Sequence, residues 1–146
     1  MVKISHYIDS LEDVLAKVTK EAYLDYFIYT KDDFERTVKA CHNAARIVFR
    51  GSKIELTQDM DFSGPSYKAE YFSVEFCGDY KQEEWSESPG KLEIIIRAIS
   101  NCGLRDTLRT FNVISCGLSV YSVTSLFKLY EMPDVEVVEV NPGPQF

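Results

Sequence analysis

The segment Leu108-Arg109-Thr110-Phe111-Asn112-Val113-Ile114-Ser115-Cys116-Gly117-Leu118 decides the predicted fold. It has an aliphatic residue at place one, apolar residues at places four and six, Cys116 at place nine and Leu118 at place eleven. Such alternation indicates a short strand whose apolar side chains point into a core. The small residue at place nine then tucks under the following turn, where it keeps backbone groups hydrogen-bonded.

Three other segments fit the same frame. One covers residues 44–54, with Ser52 at place nine, and another covers residues 69–79, with Cys77 at that place. A degenerate copy begins at Met132. The four starts are separated by 25, 39 and 24 residues, so the longest interval must contain an insertion. The apolar residues at places four and six in these copies are Ile47 and Phe49, Phe72 and Val74, and Val135 and Val137.

This frame resembles the consensus of a leucine-rich repeat, whose repeats span roughly 20 to 29 residues. Cysteine at place nine makes it similar to the cysteine-containing, ribonuclease-inhibitor-like subclass, which ubiquitin-ligase substrate receptors and a small mitochondrial coupling-factor subunit also contain. No F-box-like segment precedes the repeats, which weakens the ubiquitin-ligase version. The resemblance covers about two thirds of the chain. An ordinary small α/β domain is the alternative.

The resemblance implies an α/β fold, a short leucine-rich-repeat solenoid. We expect a parallel four-stranded sheet with strands near residues 46–50, 70–76, 109–114 and 135–138, in chain order and with right-handed connections. Helices are expected on one face only. Cys77 and Cys116 are expected to be buried at equivalent turns.

An N-terminal helical cap is predicted for residues 1–29. Ser10-Leu11-Glu12-Asp13 resembles a capping box, and apolar residues follow at helical spacing, which predicts a helix to about Tyr26. A solenoid needs its terminal apolar face covered, and this segment precedes the first strand. The chain is therefore divided into the cap, residues 1–29, and a leucine-rich-repeat-like domain, residues 30–146, which together form a single compact unit.

Further helices are predicted between the strands. Thr30, with Asp33 three places later, starts a helix that runs to about Asn43, and Ser119 caps a later one. Ser88 and Pro89 begin a third. Residues 55–68 lack helical periodicity and are predicted to be irregular or to form a single turn. The apolar stripe of the third helix consists of Leu92, Ile95, Ile96 and Ile99.

Composition indicates a globular intracellular chain. Its 146 residues, 45% hydrophobic and 27% charged, suffice for one substantial core. No apolar run approaches the roughly 18 residues of a membrane span, and residues 1–6 show no signal-peptide core. We therefore expect no membrane association and a cytoplasmic location. All four cysteines are expected to be reduced, and the lack of a C-x-x-C motif argues against zinc.

The net charge of -7 argues against nucleic acid as a partner, since nucleic-acid affinity depends on clustered Lys and Arg. Residues 1–68 hold 10 basic and 11 acidic residues, net -1, whereas residues 69–146 hold 6 and 12, net -6. A basic partner surface would be drawn to the second half. The alternative is an acidic surface that only keeps the protein soluble.

No catalytic constellation is found, and the chain is predicted not to be an enzyme and to need no cofactor or metal. Only His6 and His42 are available as imidazole bases, neither in a recognisable motif, and no glycine-rich phosphate loop occurs. The predicted function is a non-catalytic protein-protein interaction module, or a small subunit of a larger assembly. A small α/β enzyme or ligand-binding domain is the alternative from another class.

The partner, another protein, is expected to bind the concave sheet face. In-register stacking predicts three rows of side chains, and the face is expected to run from basic at the first strand to acidic at the last. The alternatives are a solvated face on which Arg50 and Glu75 pair with each other, and a contact through Trp85 in the insertion, unless Trp85 folds back onto the domain. The predicted rows are Arg46, Tyr71, Thr110 and Asp134, then Val48, Ser73, Asn112 and Glu136, then Arg50, Glu75, Ile114 and Val138. The predicted partner-binding residues are Arg46, Arg50, Tyr71, Glu75, Asn112 and Trp85.

Overall fold

Seven short parallel strands form one sheet in the computed structural model, which describes residues 1–55, 59–76, 90–114 and 118–139. The strands are β1 (Val2–Lys3), β2 (Glu21–Asp25), β3 (Phe27–Tyr29), β4 (Arg46–Ile54), β5 (Tyr71–Phe76), β6 (Thr110–Ile114) and β7 (Glu136–Val138). The helices of the described residues are α1 (Ile8–Ala16), α2 (Lys31–Ala40), α3 (Gly90–Ser100), α4 (Leu104–Thr107) and α5 (Val120–Leu129). A 3-10 turn, Ile4–His6, precedes α1.

Strand order follows chain order. In order of hydrogen-bonded neighbours the strands are β1, β3, β4, β5, β6 and β7. Strand β2, which precedes β3 in the chain, also pairs with β4. The four predicted strands are present, parallel and in the predicted order, as β4 to β7. The prediction of a four-stranded sheet was wrong in number, because the N-terminal segment adds β1, β2 and β3.

The predicted helix from Ser10 to about Tyr26 was wrong. Helix α1 ends at Ala16, and β2 lies in parallel register with the first five residues of β4. Buried and exposed residues alternate along β2, as in a strand. The predicted helix had been extended through Ala22 because this residue fits the helical spacing as well as the alternation. The capping box also fails, since Tyr7 is the N-cap and the Ser10 hydroxyl donates to the Tyr7 carbonyl at 2.9 Å.

Two other helix starts are confirmed by their caps. The Thr30 side chain accepts a hydrogen bond of 3.1 Å from the Asp33 amide, and Ser119 accepts one of 3.1 Å from the Ser122 amide. These bonds satisfy amides that a first helical turn leaves without partners. Helix α2 ends at Ala40, slightly before the predicted end. Residues 59–68 form neither helix nor strand, as predicted for that part of the connection.

Several predictions fall outside the described residues. They concern Cys77, Cys116, Trp85, Ser88 and Pro89. The apolar stripe predicted for the third helix lies on α3 and is confirmed as buried, with Leu92, Ile95, Ile96 and Ile99 fully inaccessible.

The core lies against the strand residues at places four and six of the frame. All six of these residues in β4, β5 and β6 are fully buried. Aromatic rings connect the strands, since Phe72 lies 5.7 Å from Phe49 and 5.9 Å from Phe111, and Phe111 lies 5.0 Å from Phe127 of α5. Each buried ring of this kind contributes roughly 1.5–3 kcal/mol of transfer free energy. Buried residues of all five helices belong to the same cluster, which places the described helices on this side of the sheet.

The repeated frame begins earlier in the chain than predicted. Ala22 lies level with Ile47, and Ile47 lies level with Phe72, so equivalent buried residues recur every 25 residues through β2, β4 and β5. At the other end, Val137 lies level with Phe111, whereas the frame starting at Met132 had assigned this level to Val135. The predicted register of the last strand was therefore wrong by two residues.

A backbone irregularity also repeats after 25 residues. Tyr26, between β2 and β3, has φ 60°, and Gly51, inside β4, has φ 59°. The pairing of β4 with β5 shifts at this level, between Phe49 and Ser52. Ser52, at place nine of its copy, is buried as expected, but among the described residues its hydroxyl has no hydrogen-bond partner. The turn-satisfying role predicted for this place is therefore not seen at Ser52.

Candidate binding face of the sheet

The side chains that point away from the helices form the open face of the sheet. Because side chains alternate along a strand, every second residue belongs to it. Its centre is a shallow trough of about 380 Å³ between β2 and β6. Around the trough the open face consists of Glu21, Tyr23 and Asp25 on β2, Arg46, Val48 and Arg50 on β4, Tyr71, Ser73 and Glu75 on β5, Thr110, Asn112 and Ile114 on β6, and Glu136 and Val138 on β7. Further along the sheet, Lys53 at the end of β4 belongs to the same face, with Ile28 and Lys3 level with it on β3 and β1.

The predicted rows are largely present. Arg46, Tyr71 and Thr110 lie level with one another, and so do Val48, Ser73 and Asn112. Glu75 is level with Ile114, as predicted, whereas Arg50 falls in the shifted part of β4. Because the register of β7 differs from the predicted one, the β7 residue at the end of each row changes. Glu136 replaces Asp134 beside Thr110, and Val138 replaces Glu136 beside Asn112.

Arg46 and Tyr71 form a stacked pair at one side of the trough. The guanidinium carbon of Arg46 lies 3.7 Å from the centre of the Tyr71 ring. Its Nε donates a hydrogen bond of 3.1 Å to Glu21 Oε2. A cation over an aromatic face is worth about 0.5–1 kcal/mol at an exposed site. These contacts order a long side chain that remains half-exposed, so less conformational entropy is lost when a partner covers it.

Arg50 is held more tightly by its own surroundings. Its Nη1 donates to the Tyr23 hydroxyl at 3.0 Å, and its Nη2 donates to the Tyr26 hydroxyl at 3.5 Å. Its Nε lies 3.7 Å from Asp25 Oδ1 and 3.8 Å from Glu75 Oε1. The bond to Tyr23 is the main reason why the pKa of Arg50 is raised. Arg50 and Glu75 therefore approach each other, as the alternative of a self-paired face expected.

The floor of the trough is polar. Ser73 and Asn112, level with each other on β5 and β6, are both only 4% exposed. The Asn112 side-chain amide donates a hydrogen bond of 3.1 Å to the Ser73 hydroxyl. Such buried polar groups are stable when hydrogen-bonded, so this pair fits the floor of a trough that is otherwise flanked by Val48 and Ile114.

The predicted gradient from basic to acidic is present from β4 to β7, the four predicted strands, but β2 does not follow it. Strand β2 lies on the far side of β4 and adds Glu21 and Asp25, so the two arginines lie between acidic flanks. Among the described residues the open face carries four carboxylates, the two guanidinium groups and, further from the trough, the ammonium groups of Lys53 and Lys3. Glu75 and Glu136 form the acidic side toward the C-terminal strands, as predicted for that half.

Three residues of the open face beside the trough were missed from the sequence: Glu21, Tyr23 and Asp25. They belong to β2, which had been assigned to a helix. The 25-residue spacing of Ala22, Ile47 and Phe72 is the signal that identifies them. Trp85, the remaining predicted contact, lies outside the described residues.

The described residues include side chains of metal-ligating types and cysteine thiols. No group of three or more His, Cys, Asp or Glu in ranges 1–55, 59–76, 90–114 and 118–139 is placed to hold a metal ion. Burial raises the pKa of Cys41 to about 12 and that of Cys102 to about 11. Both thiols are therefore protonated near neutral pH, unlike the thiolates that act as nucleophiles. Within the described ranges no helix has the length and apolar character to cross a membrane.

Comparison of the chain with models of known protein families, with curated proteins and with solved structures finds no match. The open face, with the stacked pair of Arg46 and Tyr71 at its trough, is the feature from which a function is inferred.

Proposed function

We propose that this chain is a non-catalytic protein-interaction module, alone or as a small subunit of a larger assembly, which binds another protein through the open face. The observation that carries the proposal is the stacking of Arg46 on Tyr71 beside a solvent-open trough. Tyrosine and arginine are among the residue types that most often supply a large share of binding energy at protein interfaces. Here both stand on paired strands, which hold them in place before a partner arrives.

The surrounding residues have distinct roles in this proposal. Arg46 and Tyr71 are the anchors. Arg50 and Glu75 fix the rim of the trough, because Arg50 is held by Tyr23 and Glu75 accepts a hydrogen bond of 3.0 Å from the Gly51 amide. Asn112 provides a polar floor that a partner's polar group can meet. Trp85 is proposed as a second contact from the insertion.

We further infer that the architecture is a short solenoid of the leucine-rich-repeat type. The 25-residue recurrence of level, buried residues from β2 to β5 supports this inference, since repeats of that class span about 20 to 29 residues. Solenoids of this kind bind their partners along an extended sheet surface. An intracellular, cytoplasmic location is proposed with it.

A small ligand-binding domain is the second candidate. The trough volume of about 380 Å³ lies within the range of about 300–1,000 Å³ that small-molecule sites occupy. Its shallow, solvent-open shape favours a protein surface instead, since a small ligand is usually enclosed on most sides. A thermal-shift screen against nucleotides and metabolites separates the two, because a ligand that binds only the folded state raises the melting temperature.

Site-specific photo-crosslinking tests the proposal without a known partner. A benzophenone amino acid replaces Tyr23, on the open face, or Tyr121, on the exposed surface of α5, in the chain expressed in its own cells. Tyr121, 81% exposed, is the matched control. We expect a discrete covalent adduct from position 23 and none from position 121. An adduct from position 121 alone would place the interface on the helices and reject the proposal.

A further inference from the structure

We propose that the occupant of the open face is a basic segment of another protein, with a Lys or Arg side chain paired to Glu136. This inference deepens the proposed function and rests on it. It names the chemistry of the partner and the direction in which the partner crosses the sheet. Three features carry it: the occupied arginines, the carboxylates of β5 to β7 and the spacing of Tyr71 from Glu136.

Both arginines beside the trough are already held by carboxylates of the open face. Arg46 bonds to Glu21, and Arg50 lies within ion-pair distance of Asp25 and Glu75. A carboxylate brought by a partner would have to compete with these groups. We therefore expect a partner to contact the Arg46 guanidinium mainly through its planar face, which lies on Tyr71, and less through its positive charge.

The part of the face formed by β5 to β7 is negatively charged. From β5 to β7 the described open-face positions carry Glu75 and Glu136 and no Lys or Arg. Glu136 is exposed, and its carboxylate has no ion-pair partner among the described residues. The chain as a whole carries a net charge of -7, which attracts cations over longer distances. Complementary charge at the rim mainly fixes orientation and association rate.

The row geometry sets the spacing of the partner's side chains. Tyr71, Thr110 and Glu136 lie level on three adjacent strands. Adjacent strands are about 4.8 Å apart, so Tyr71 and Glu136 are separated by roughly 10 Å. A segment in the polyproline II conformation has three residues per turn and rises about 3.1 Å per residue, so side chains three places apart point to the same side and lie about 9 Å apart. An apolar or aromatic side chain against Tyr71 and a Lys or Arg three places away would then meet both positions.

Selection from a random dodecapeptide library displayed on phage, panned against the full-length chain, tests this chemistry. We expect enrichment of Lys and Arg three places from an aromatic or large apolar residue. The most enriched peptide is then synthesised and titrated against variants at low and high salt. Glu136→Gln should weaken binding of the peptide at least about threefold and Glu136→Lys about tenfold. Raised salt should weaken binding of the peptide to the wild-type chain. Asp13→Asn, which removes one exposed charge from α1, is the matched control and should have no effect.

Failure of this inference differs from failure of the proposed function. Selected peptides without cationic enrichment, or basic peptides that bind Glu136→Gln and Asp13→Asn equally well, would overturn the basic partner. If such peptides still lose binding in Tyr71→Ala, the open face remains the interface. Peptides that bind Tyr71→Ala and Arg46→Glu as tightly as the wild type would overturn both.

Discussion

Arg46 and Tyr71 are directly level on two neighbouring parallel strands, and the guanidinium of Arg46 stacks on the Tyr71 ring at 3.7 Å. Their position follows from the next residue on each strand, because Ile47 and Phe72 are level and fully buried on the opposite face. A register slip of one residue would exchange the two faces and bury Arg46 and Tyr71. The apolar frame of the sequence therefore fixes the geometry of the proposed binding anchors.

The first prediction concerns the rings that hold this register. Phe72→Ala should lower the free energy of unfolding by about 3–5 kcal/mol, because Phe72 packs between Phe49 and Phe111 and leaves a cavity when truncated. Urea unfolding followed by circular dichroism measures the change. Tyr121→Ala, at an exposed ring on α5, is the control and should change stability by less than about 0.5 kcal/mol. Equal effects of the two substitutions would mean that Phe72 is not part of the core.

The sequence identifies β4, β5 and β6 because each has apolar residues at two alternate places and these residues do not also fit a helical spacing. It fails at β2, where Ala22 continues the helical spacing of Leu15 and Val18, so that a period of two is masked. It also fails in the register of β7, since a run of valines at 135, 137 and 138 fits the frame in more than one way. Side-chain identity alone cannot decide between such registers.

The part of the candidate site on β4, β5 and β6 was predicted, because the register of these strands was predicted. The part on β2 was missed. Arg46, Tyr71 and Asn112 were identified as residues of one face, and the structure brings them to one trough. The hydrogen bonds of Arg46 and Arg50 to Glu21 and Tyr23 were not foreseen, because they join segments 25 and 27 residues apart across a strand that had been assigned to a helix.

The second prediction concerns Gly51. Its φ of 59° is costly for a residue with a side chain, and a Cβ there would lie 2.4 Å from Tyr26 Cδ1. Gly51→Ala should therefore destabilise the protein by at least about 1–2 kcal/mol. Thermal or urea unfolding measures it. In a Tyr26→Ala background the steric part should disappear, so the added cost of Gly51→Ala should be smaller. An equal cost in both backgrounds would assign the whole effect to backbone conformation.

The third prediction concerns alkaline stability. A cysteine thiol ordinarily has a pKa of about 9, whereas burial raises the pKa of Cys41 to about 12. Between these values the unfolded chain loses a proton that the folded protein keeps, so the free energy of unfolding should fall as pH rises above about 9. Below that pH the contribution of Cys41 is fully present. Urea unfolding at several values from about pH 8 to about pH 10.5 should show a smaller fall in Cys41→Ala than in the wild type. Identical slopes would show that Cys41 ionises as readily in the folded state as in the unfolded one.

The fourth prediction separates stacking from charge at the proposed anchor. Arg46→Lys keeps the positive charge but loses the planar guanidinium that covers Tyr71. It should weaken binding of the crosslinked partner several-fold, by about 0.5–1 kcal/mol, with an unchanged dependence on salt. Isothermal titration at two salt concentrations measures both. An affinity equal to that of the wild type would show that only the charge of Arg46 contributes.

Binding of a partner protein to the open face is tested most directly by measuring the affinity of the Tyr71→Ala and Arg46→Glu variants for the partner identified by crosslinking. Each substitution should weaken binding at least about tenfold, which is about 1.4 kcal/mol, while the melting temperature changes little because both side chains are partly exposed. Tyr121→Ala should bind as the wild type does. Unchanged affinity in both open-face variants would contradict the account and move the interface to the helices or to the insertion that carries Trp85.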